Sequence, residues 1–377
     1  MSHIAILGSG AWGTAIALSL SRRGGHQVTL WSYSVEEARQ ISDARENTLF
    51  LPGFPLPADI AVTAKESAVS DAEIVVSVIP SEFLRPTLAR LRPHMRSGQV
   101  VVSATKGVED RTFLRMTEVI AACLGESADE GLGSDGSRPN PDTNLEVFVE
   151  TGVPEVSSSG FAPAPRSWID QPFSVGAFSG PSFAIEVAQG QPTAVTVAFH
   201  DPAIATRIQN EFSSETLRLY TTTDVTGVEL GGALKNVVAI AAGVAAGVGL
   251  GYNSAAALMT RGIAEITRLA VACGGRRETL AGLSGTGDLV LTCTGSLSRN
   301  RTVGLALGQG RKLPEILASL GGKVAEGVLT TRAALGLARK HNIEMPITEQ
   351  MELILDEGKD PREAIKDLML RPGKDEH

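Results

Sequence analysis

The sequence has few cysteines and few histidines, and neither residue type is spaced to bind a metal or to build a disulfide framework. Its three cysteines, Cys123, Cys273 and Cys293, are odd in number and lack the paired spacing of such sites. The six histidines likewise show no metal-ligand spacing. We therefore expect no bound metal, and we expect a reducing compartment, which for this chain means the cytoplasm.

Basic clusters and long apolar runs are also lacking. The formal net charge is -8 and no long block of Lys and Arg offsets it, which argues against a nucleic-acid partner held through its phosphates. The most apolar stretch, residues 237–250, spans only about 14 residues, whereas a membrane-spanning helix needs roughly 20. Its Ala, Gly and Val residues predict a closely packed core helix with Lys235 and Asn236 at its head. The first apolar run, residues 4–7, is too short for a signal-peptide core. We expect no membrane span.

The length of 377 residues predicts two domains, which we place at residues 1–227 and 228–377. The first half alternates β-rich runs with helical stretches, the pattern of an α/β protein with a parallel sheet covered on both faces. We expect strands at residues 4–7, 28–31, 74–79, 100–103 and 193–199. After about residue 228 the strand signals vanish, so the second domain is expected to be all-helical. Near its end, Asp360, Pro361 and Glu363 mark the start of a helix.

A segment at about residues 126–171 is rich in Gly, Ser, Pro and Asp. Such a composition cannot bury enough apolar surface to hold a fold. We predict a long flexible insertion in the first domain, in which residues 145–149 could still pair as a strand.

The strongest local motif joins the first expected strand to a helix. It reads Gly8-Ser9-Gly10-Ala11-Trp12-Gly13. The first glycine allows a tight turn, the second lets the backbone approach a pyrophosphate, and the third lets helix and strand pack closely. In a chain with 40 glycines such a string also arises by chance, as a plain turn. Its position favours a Rossmann-like dinucleotide-binding domain.

The end of the second expected strand bears on the choice of nicotinamide cofactor. An NAD-selective site presents an Asp or Glu there to the adenosine ribose, but this chain has Tyr33 and Ser34 and no adjacent Arg. The 2′-phosphate of NADP is then neither repelled nor clamped. We expect dual use of NAD and NADP or a preference for NADP, unless both residues are ordinary loop residues.

Two further motifs follow expected strands. Lys106 comes after the fourth strand, at the edge of the sheet where ligands of open α/β folds bind, although a solvated loop lysine is as common. Gly180 and Ser182 belong to a turn before a helix, whose free backbone N–H groups suit an anion. A simple strand-to-helix turn is the alternative for that segment.

The second domain carries the more pointed candidates. A lysine at the head of an apolar helix, Lys235, has its pKa lowered toward the range of proton transfer, unless it snorkels to water. Asp288 stands between glycines and an apolar run. Arg299 and Asn300 are suited to a phosphate, although the arginine could equally lie on a solvated helix face. No G-x-S-x-G elbow is present, so we set serine-hydrolase chemistry aside.

In this order, the motifs resemble those of the bacterial-type glycerol-3-phosphate dehydrogenase family. The strings that carry the resemblance are GSGAWGTA, SATKG, SGPSFA, VELGGALKNVVAIAAG, GLGYN, SGTGDLVLTCTGSLSRNR, GLALGQG and EMPIT. They cover nearly the whole chain outside the insertion. The resemblance implies reduction of dihydroxyacetone phosphate to sn-glycerol 3-phosphate by NADH or NADPH, for phospholipid synthesis.

The resemblance also implies residue roles. Lys235 is then the proton donor and acceptor, Lys106 contacts cofactor and substrate, and Asp288 holds Lys235 in place. The implied substrate-site positions are Lys106, Gly180, Ser182, Lys235, Asp288, Ser298, Arg299 and Asn300. The implied cofactor contacts are Gly8, Gly10, Ala11, Trp12, Gly13, Tyr33, Lys106, Ala184, Arg299, Val324 and Glu326. A homodimer is also expected from the resemblance.

Two features depart from the family pattern. Ala11 and Tyr33 stand where the family often has a hydroxyl and a basic or imidazole side chain, which leaves the cofactor preference open. The insertion is longer than the family connection; it either covers the cleft or lies in solvent, and we favour the second.

The rival enzymes are a ketopantoate reductase and a hydroxyacyl-coenzyme A dehydrogenase. The combined LKN and SRNR strings argue against both. An alternative from another functional class is a non-catalytic redox sensor that binds NADPH. The presence of Lys235 and Asp288 argues against this hypothesis.

Overall fold

A computed structural model describes residues 1–125, 172–319, 326–373 and 375. Within them, one eight-stranded sheet has the order β3-β2-β1-β4-β5-β6-β7-β8. The strands are β1 (Ser2–Leu7), β2 (His26–Trp31), β3 (Ile60–Thr63), β4 (Ile74–Ser77), β5 (Val100–Ser103), β6 (Ser174–Ser179), β7 (Thr193–Ala198) and β8 (Leu217–Thr222). Strands β1 to β6 pair in parallel, β7 is antiparallel to β6, and β8 is parallel to β7. The order of the first six strands is that of a doubly wound dinucleotide-binding sheet, so the predicted fold class is confirmed.

Helices cover both faces of this sheet. They are α1 (Ala11–Arg23), α2 (Val35–Ala44), α3 (Ser81–Leu91), α4 (Met116–Gly125), α5 (Ala184–Ala188) and α6 (Pro202–Phe212), with short 3₁₀ turns at Glu66–Val69 and Arg92–His94. Alternate residues of β1 enter opposite cores: Ile4 and Ile6 pack on one face, Ala5 and Leu7 on the other. This alternation is the expected consequence of the two-residue period of a strand.

All five expected strands are present, and three more were missed. Strand β3 is only four residues long. Strand β8 alternates buried with exposed residues, which is the pattern of a half-buried strand. Strand β6 contains Gly176, which reads as a breaker. The structure gives the reason for that glycine, because a side chain there would collide with Ala198 and Phe199 beside it. The insertion, with its possible strand at residues 145–149, lies outside the described residues.

The described residues beyond β8 contain helices and no strand. They are α7 (Val225–Val248), α8 (Tyr252–Ala272), α9 (Arg277–Ala281), α10 (Asp288–Thr294), α11 (Arg299–Gly308), α12 (Leu313–Ser319), α13 (Glu326–His341), α14 (Pro346–Asp356) and α15 (Pro361–Met369), with a π-helical turn at Leu283–Gly287. The predicted cap before α15 is confirmed, because the Asp360 carboxylate accepts from the backbone N–H groups of Arg362 and Glu363. The division after residue 227 stays a prediction.

Helix α7 is the centre of the helical part. Its length and composition would suit a membrane span, but 78% of its most apolar window is buried inside the protein. The prediction of a packed core helix is therefore confirmed. The expected position of Lys235 at the helix head is wrong, since α7 begins at Val225, where Asp224 caps it through the N–H of Gly227. Lys235 consequently lies in the middle of the helix.

Helices α7 and α11 pack at close range through glycines. A side chain at Gly304 would collide with the backbone of Ile240, and one at Gly243 with the backbone of Arg301. Backbones this close leave no room for even a methyl group. The contact fixes where α11, with its candidate phosphate residues at its start, lies relative to α7.

A buried ion pair joins the two parts of the chain. The Glu229 carboxylate on α7 accepts from Arg115 Nη1 at 2.7 Å and from Thr117 N and Oγ1 at 2.8 and 2.6 Å, at the start of α4. Arg115 also donates to Glu118 at 2.7 Å. All the donors around Glu229 belong to the sheet part, so this cluster holds α7 against it.

We expect Glu229→Ala to lower the free energy of unfolding by about 3 kcal/mol, because it leaves Arg115 and the Thr117 N–H buried with fewer partners. Urea titration of both proteins measures the change. The control is Arg207→Ala, which breaks a largely exposed pair with Glu73 and should leave the midpoint unchanged. Equal effects of the two substitutions would contradict a special role for the buried cluster.

Candidate active site

The candidate residues of the first domain meet at one edge of the sheet. Because β1, β2, β5 and β6 are parallel, their carboxyl ends lie together, and the segments that follow them carry Gly8, Tyr33, Lys106 and Gly180. Ligands of open α/β sheets bind in the crevice at this edge. Helices α7 and α10 approach the same edge from the helical part.

Asp288 holds two lysines together. Its Oδ2 accepts from Lys106 Nζ at 2.6 Å, and its Oδ1 lies 2.8 Å from Lys235 Nζ. The Asp288 side chain is only 2% exposed, and those of Lys106 and Lys235 are 18% and 7% exposed. The structure thus brings together three residues that lie 53 to 182 positions apart in the sequence. One lysine from the sheet part and one from the helical part therefore contact the same carboxylate.

Thr292 completes the setting of Lys235. Its hydroxyl oxygen accepts from Lys235 Nζ at 2.5 Å, while the hydroxyl donates to the backbone oxygen of Asp288 at 2.7 Å. This residue is not among the candidates predicted from the sequence. Its signal was the four-residue spacing from Asp288, which puts both on one face of α10.

Close contacts explain how α7 delivers Lys235. A side chain at Gly232 would collide with Ser179 Oγ at the end of β6, and one at Gly231 would come within 2.7 Å of Ser284 O. Two consecutive glycines therefore let the helix pass between the sheet edge and the π-helical turn before Asp288. Lys235 follows one helical turn later and faces the same cleft.

Burial sets the pKa of Lys235. Removal of the ammonium group from water lowers its pKa from 10.5 to about 8, with Asp288 acting to raise it and Lys106 to lower it further. The expectation of a lowered pKa agrees with this. A lysine with a pKa near neutrality can both donate and accept a proton.

The remaining substrate-site candidates lie at the starts of α5 and α11. Ser298 caps α11 through the N–H of Arg301 at 3.2 Å and is buried, whereas Arg299 is exposed. Asn300 is buried, and its Oδ1 accepts from Gly327 N at 3.0 Å. Ser182 donates to the backbone oxygen of Gly180 at 2.9 Å.

Glu326 connects this group to the lysines. Its carboxylate accepts from Asn236 Nδ2 at 3.4 Å. Burial raises the pKa of the Glu326 carboxyl, and the positive charges of Arg299, Lys106 and Lys235 oppose that rise. Glu326 therefore lies close enough to Arg299 and to both lysines for their charges to act on it. Val324, the remaining candidate of this segment, lies outside the described residues.

The glycine turn fits a dinucleotide. Gly8 has a φ of 114° and donates its N–H to the backbone oxygen of Trp31 at 3.0 Å. A side chain at Gly13 would collide with Gly8. At Gly10, no atom of the described residues other than its own chain neighbours lies within 4 Å of the position that a side chain would take. The open side at Gly10 is where a pyrophosphate approaches the backbone. Helix α1 begins there without a side-chain cap or an acid in its first turn, so its N–H groups suit an anion.

The other cofactor candidates surround this turn. Ala11 and Trp12 open α1, and the Trp12 ring lies 6.2 Å from that of Phe178. Ala184 opens α5. Tyr33 is 65% exposed just beyond β2, and the Arg90 guanidinium stacks on its ring at 4.7 Å. Their placement at the sheet edge agrees with cofactor contacts, which stay predictions.

A second residue that the sequence analysis missed supports the turn from behind. The Nδ2 of the fully buried Asn47 donates to the backbone oxygen of Ser9 at 2.6 Å and to Thr14 Oγ1 at 2.8 Å. Nothing in the local sequence signals this contact, because Asn47 lies 38 residues from Ser9 in a loop.

Comparisons with known proteins agree with these features. The chain matches the models described as the N-terminus of NAD-dependent glycerol-3-phosphate dehydrogenase, over residues 3–132 and 164–205, and as its C-terminus, over residues 224–366. It is 52% identical over 377 residues to the NAD(P)+ glycerol-3-phosphate dehydrogenase of Koribacter versatilis, covering 100% of this chain and 99% of that protein. It is 45% identical to the protein of that name from Geobacter sulfurreducens, covering 99% and 98%.

Solved structures give the same result. The crystal structure of glycerol-3-phosphate dehydrogenase from Coxiella burnetii superposes with a TM-score of 0.82 at 34% identity, covering 98% of this chain and 99% of that one. A ketopantoate reductase from Ralstonia eutropha reaches a TM-score of 0.53 at 15% identity, covering 97% and 99%. That second likeness extends to the fold alone.

The arrangement predicts that Asp288 and Lys106 shift the Lys235 pKa in opposite directions. Asp288→Asn removes the charge that raises it, so the titration midpoint should fall below about 8. Lys106→Met removes the charge that lowers it, so the midpoint should rise. The ¹³C shift of Lys235 Cε, followed against pH, reports both midpoints. A midpoint that stays in place in both variants would show that burial alone sets it.

Proposed function

The chain belongs to the NAD-dependent glycerol-3-phosphate dehydrogenase family, and on that premise we propose that Lys235 is the proton donor of its reaction. The enzyme is an NAD(P)-dependent oxidoreductase that reduces dihydroxyacetone phosphate to sn-glycerol 3-phosphate, the backbone of glycerophospholipids. The observation that carries the proposal is the pairing of Lys235 and Lys106 on Asp288 at the carboxyl edge of the sheet.

Lys235 supplies both charge and proton. A bound nicotinamide would supply the hydride that the carbonyl carbon takes up, and negative charge would then develop on the carbonyl oxygen. The Lys235 ammonium stabilises that oxygen and donates its proton to it. In the reverse reaction the neutral amine takes the hydroxyl proton back. A pKa of about 8 makes both forms accessible near neutral pH.

Asp288 and Thr292 position the lysine. Two of the three N–H donors of Lys235 are used by Asp288 Oδ1 at 2.8 Å and by the Thr292 hydroxyl oxygen at 2.5 Å. The third donor is then available to the substrate oxygen. Lys106 is bound to the same carboxylate and brings a second positive charge to the site, where we propose it contacts both substrate and cofactor.

The start of α11 is the proposed phosphate site. Arg299 is exposed, and an arginine offers a planar fork of donors that matches phosphate oxygens. Asn300 uses its amide oxygen on Gly327, which leaves its NH₂ group as the donor for a ligand. Ser298 brings a hydroxyl to the same turn, and Gly180 and Ser182 belong to the facing turn after β6. Binding energy from the phosphate then orients the carbonyl for reaction.

The cofactor is proposed to lie along the sheet edge from Tyr33 to the lysines. The turn formed by Gly8, Gly10 and Gly13 would hold its pyrophosphate at the start of α1, beside Ala11 and Trp12. Ala184, Arg299 and Glu326 are the proposed contacts on the nicotinamide side. Val324, also a proposed cofactor contact, lies outside the described residues. We also propose a cytoplasmic homodimer with domains at residues 1–227 and 228–377, and family membership is the support for that proposal.

Loss of the Lys235 amine should abolish turnover. We expect Lys235→Met, which keeps the length of the side chain, to lower kcat for dihydroxyacetone phosphate by roughly 10²- to 10⁴-fold, the range of general acid catalysis. Oxidation of NADH and of NADPH is measured in parallel. The matched control is Lys366→Met, an exposed lysine on α15, which should retain full activity. Full activity of the Lys235 variant would refute its role.

The phosphate proposal predicts a difference between two neighbouring arginines. Arg299→Gln should raise KM for dihydroxyacetone phosphate by about tenfold or more, since it removes a charged phosphate contact. Arg301→Gln, two residues along the same helix, should change KM little. Unphosphorylated dihydroxyacetone is the second comparison: its slow turnover should be the same in both variants. A KM change for Arg301→Gln as large as that for Arg299→Gln would contradict a specific contact.

A further inference from the structure

The fold supplies a carboxylate near the adenosine end of the cofactor cleft, where the end of β2 has none. Strand β2 ends at Trp31, and Ser32, Tyr33 and Ser34 follow without an acid. The glycine turn is nevertheless held against this strand end, because Gly8 N donates to Trp31 O at 3.0 Å. Any group that reaches the turn from the segment after β2 lies beside the expected adenosine ribose.

Glu37 is that group. It lies in the first turn of α2, and its Oε1 accepts a hydrogen bond from Ser9 Oγ, in the residue between the first two glycines of the turn. Ser9 is itself fixed, since its backbone oxygen accepts from the buried Asn47 at 2.6 Å. The Glu37 carboxylate is therefore held beside the turn that receives the pyrophosphate, with its other oxygen left for a further donor.

The hydrogen bond between Glu37 and Ser9 replaces the one that an acid at this position of a helix usually makes. Ser34 caps the helix by accepting from Glu37 N at 3.2 Å, which makes Ser34 and Glu37 the two ends of a capping box. In a capping box the acid bonds back to the cap residue. Here the Ser34 N–H donates to Ser32 Oγ at 3.3 Å instead, and the carboxylate bonds to Ser9.

Two arginines near the end of β2 are paired with acids other than Glu37. Arg39 forms an exposed pair with Glu36 at 3.0 Å. Arg90 forms a pair with Glu66 at 2.5 Å and stacks on Tyr33. The sequence from residue 32 to residue 38 contains no Lys or Arg. The Glu37 carboxylate is thus the charged group that forms a hydrogen bond with the glycine turn.

We propose that Glu37 replaces the missing acid of β2: it accepts a hydrogen bond from the adenosine ribose and repels a 2′-phosphate, so the enzyme favours NAD over NADP. A carboxylate bound to a ribose hydroxyl is the usual basis of NAD selectivity, and a 2′-phosphate beside it brings two like charges together. The proposal rests on the proposed function, whose cofactor site it concerns. It reverses the expectation of dual use or NADP preference drawn from the β2 end alone.

Direct binding separates this proposal from catalysis. Isothermal titration of the full-length protein with ADP-ribose and with 2′-phospho-ADP-ribose compares ligands that lack nicotinamide and differ only in the 2′-phosphate. The unchanged protein should bind ADP-ribose more tightly, by about tenfold. Glu37→Gln keeps the shape and an acceptor for Ser9 but removes the charge, so the ratio of the two Kd values should fall by about tenfold.

Glu36→Gln is the matched control, because it removes an acid from the same helical turn that faces Arg39 rather than the glycine turn. It should leave the ratio unchanged, and thermal unfolding of each variant checks folding. Equal affinities in the unchanged protein, or a ratio that Glu37→Gln does not move, would overturn the proposal. Tighter binding of 2′-phospho-ADP-ribose that is lost in Arg90→Gln would also overturn it and assign Arg90 as a phosphate clamp. Discrimination without turnover of dihydroxyacetone phosphate would count against the proposed function only.

Discussion

The site depends on one buried carboxylate that satisfies two lysines. A carboxylate as deeply buried as Asp288 would be strongly destabilising without partners, and so would the amine of Lys235. Each lysine offsets the desolvation of the acid, and the acid keeps two like charges close to each other. Because Lys106 follows β5 and Lys235 lies on α7, the same contact defines the spacing between sheet and helices. The ion pairs that assemble the site therefore also help to hold the two sides of the cleft together.

The position of Lys235 in the middle of an apolar helix imposes the packing around it. A helix that carries a charge toward the sheet edge must approach that edge closely, and Gly231 and Gly232 permit the approach. Farther along α7, Gly243 permits the same closeness to α11, whose start carries Arg299 and Asn300. The small residues of α7 therefore serve the geometry of the site as well as the density of the core.

The sequence predicts most of the fold and the members of the site, and it fails where long-range contacts decide. The apolar runs identify β1, β2, β4, β5 and β7. Strands β3, β6 and β8 were missed, although the alternation in β8 is itself a strand pattern. The sequence pattern places Lys235 at a helix head because the apolar run begins there, whereas the Asp224 cap eleven residues earlier starts the helix. Asn47 acts through a contact that no local pattern encodes, whereas Thr292 had one local signal, its four-residue spacing from Asp288. The rule for an acid at the end of β2 misses Glu37 for a related reason, since it counts positions along the chain and the contact is made across space.

The charge balance around the lysines connects binding to proton transfer. In the free enzyme, burial holds the pKa of Lys235 at about 8 despite Asp288. A phosphate dianion that binds at Arg299 adds negative charge to a site that already contains two lysines and two acids, and nearby negative charge favours the protonated amine. Substrate binding therefore charges the proton donor before hydride arrives. Removal of the carbonyl by reduction then leaves the neutral amine in a buried setting that tolerates it. The protein as a whole is acidic, with a net charge of -8, so this attraction for an anion is a local property of the cleft.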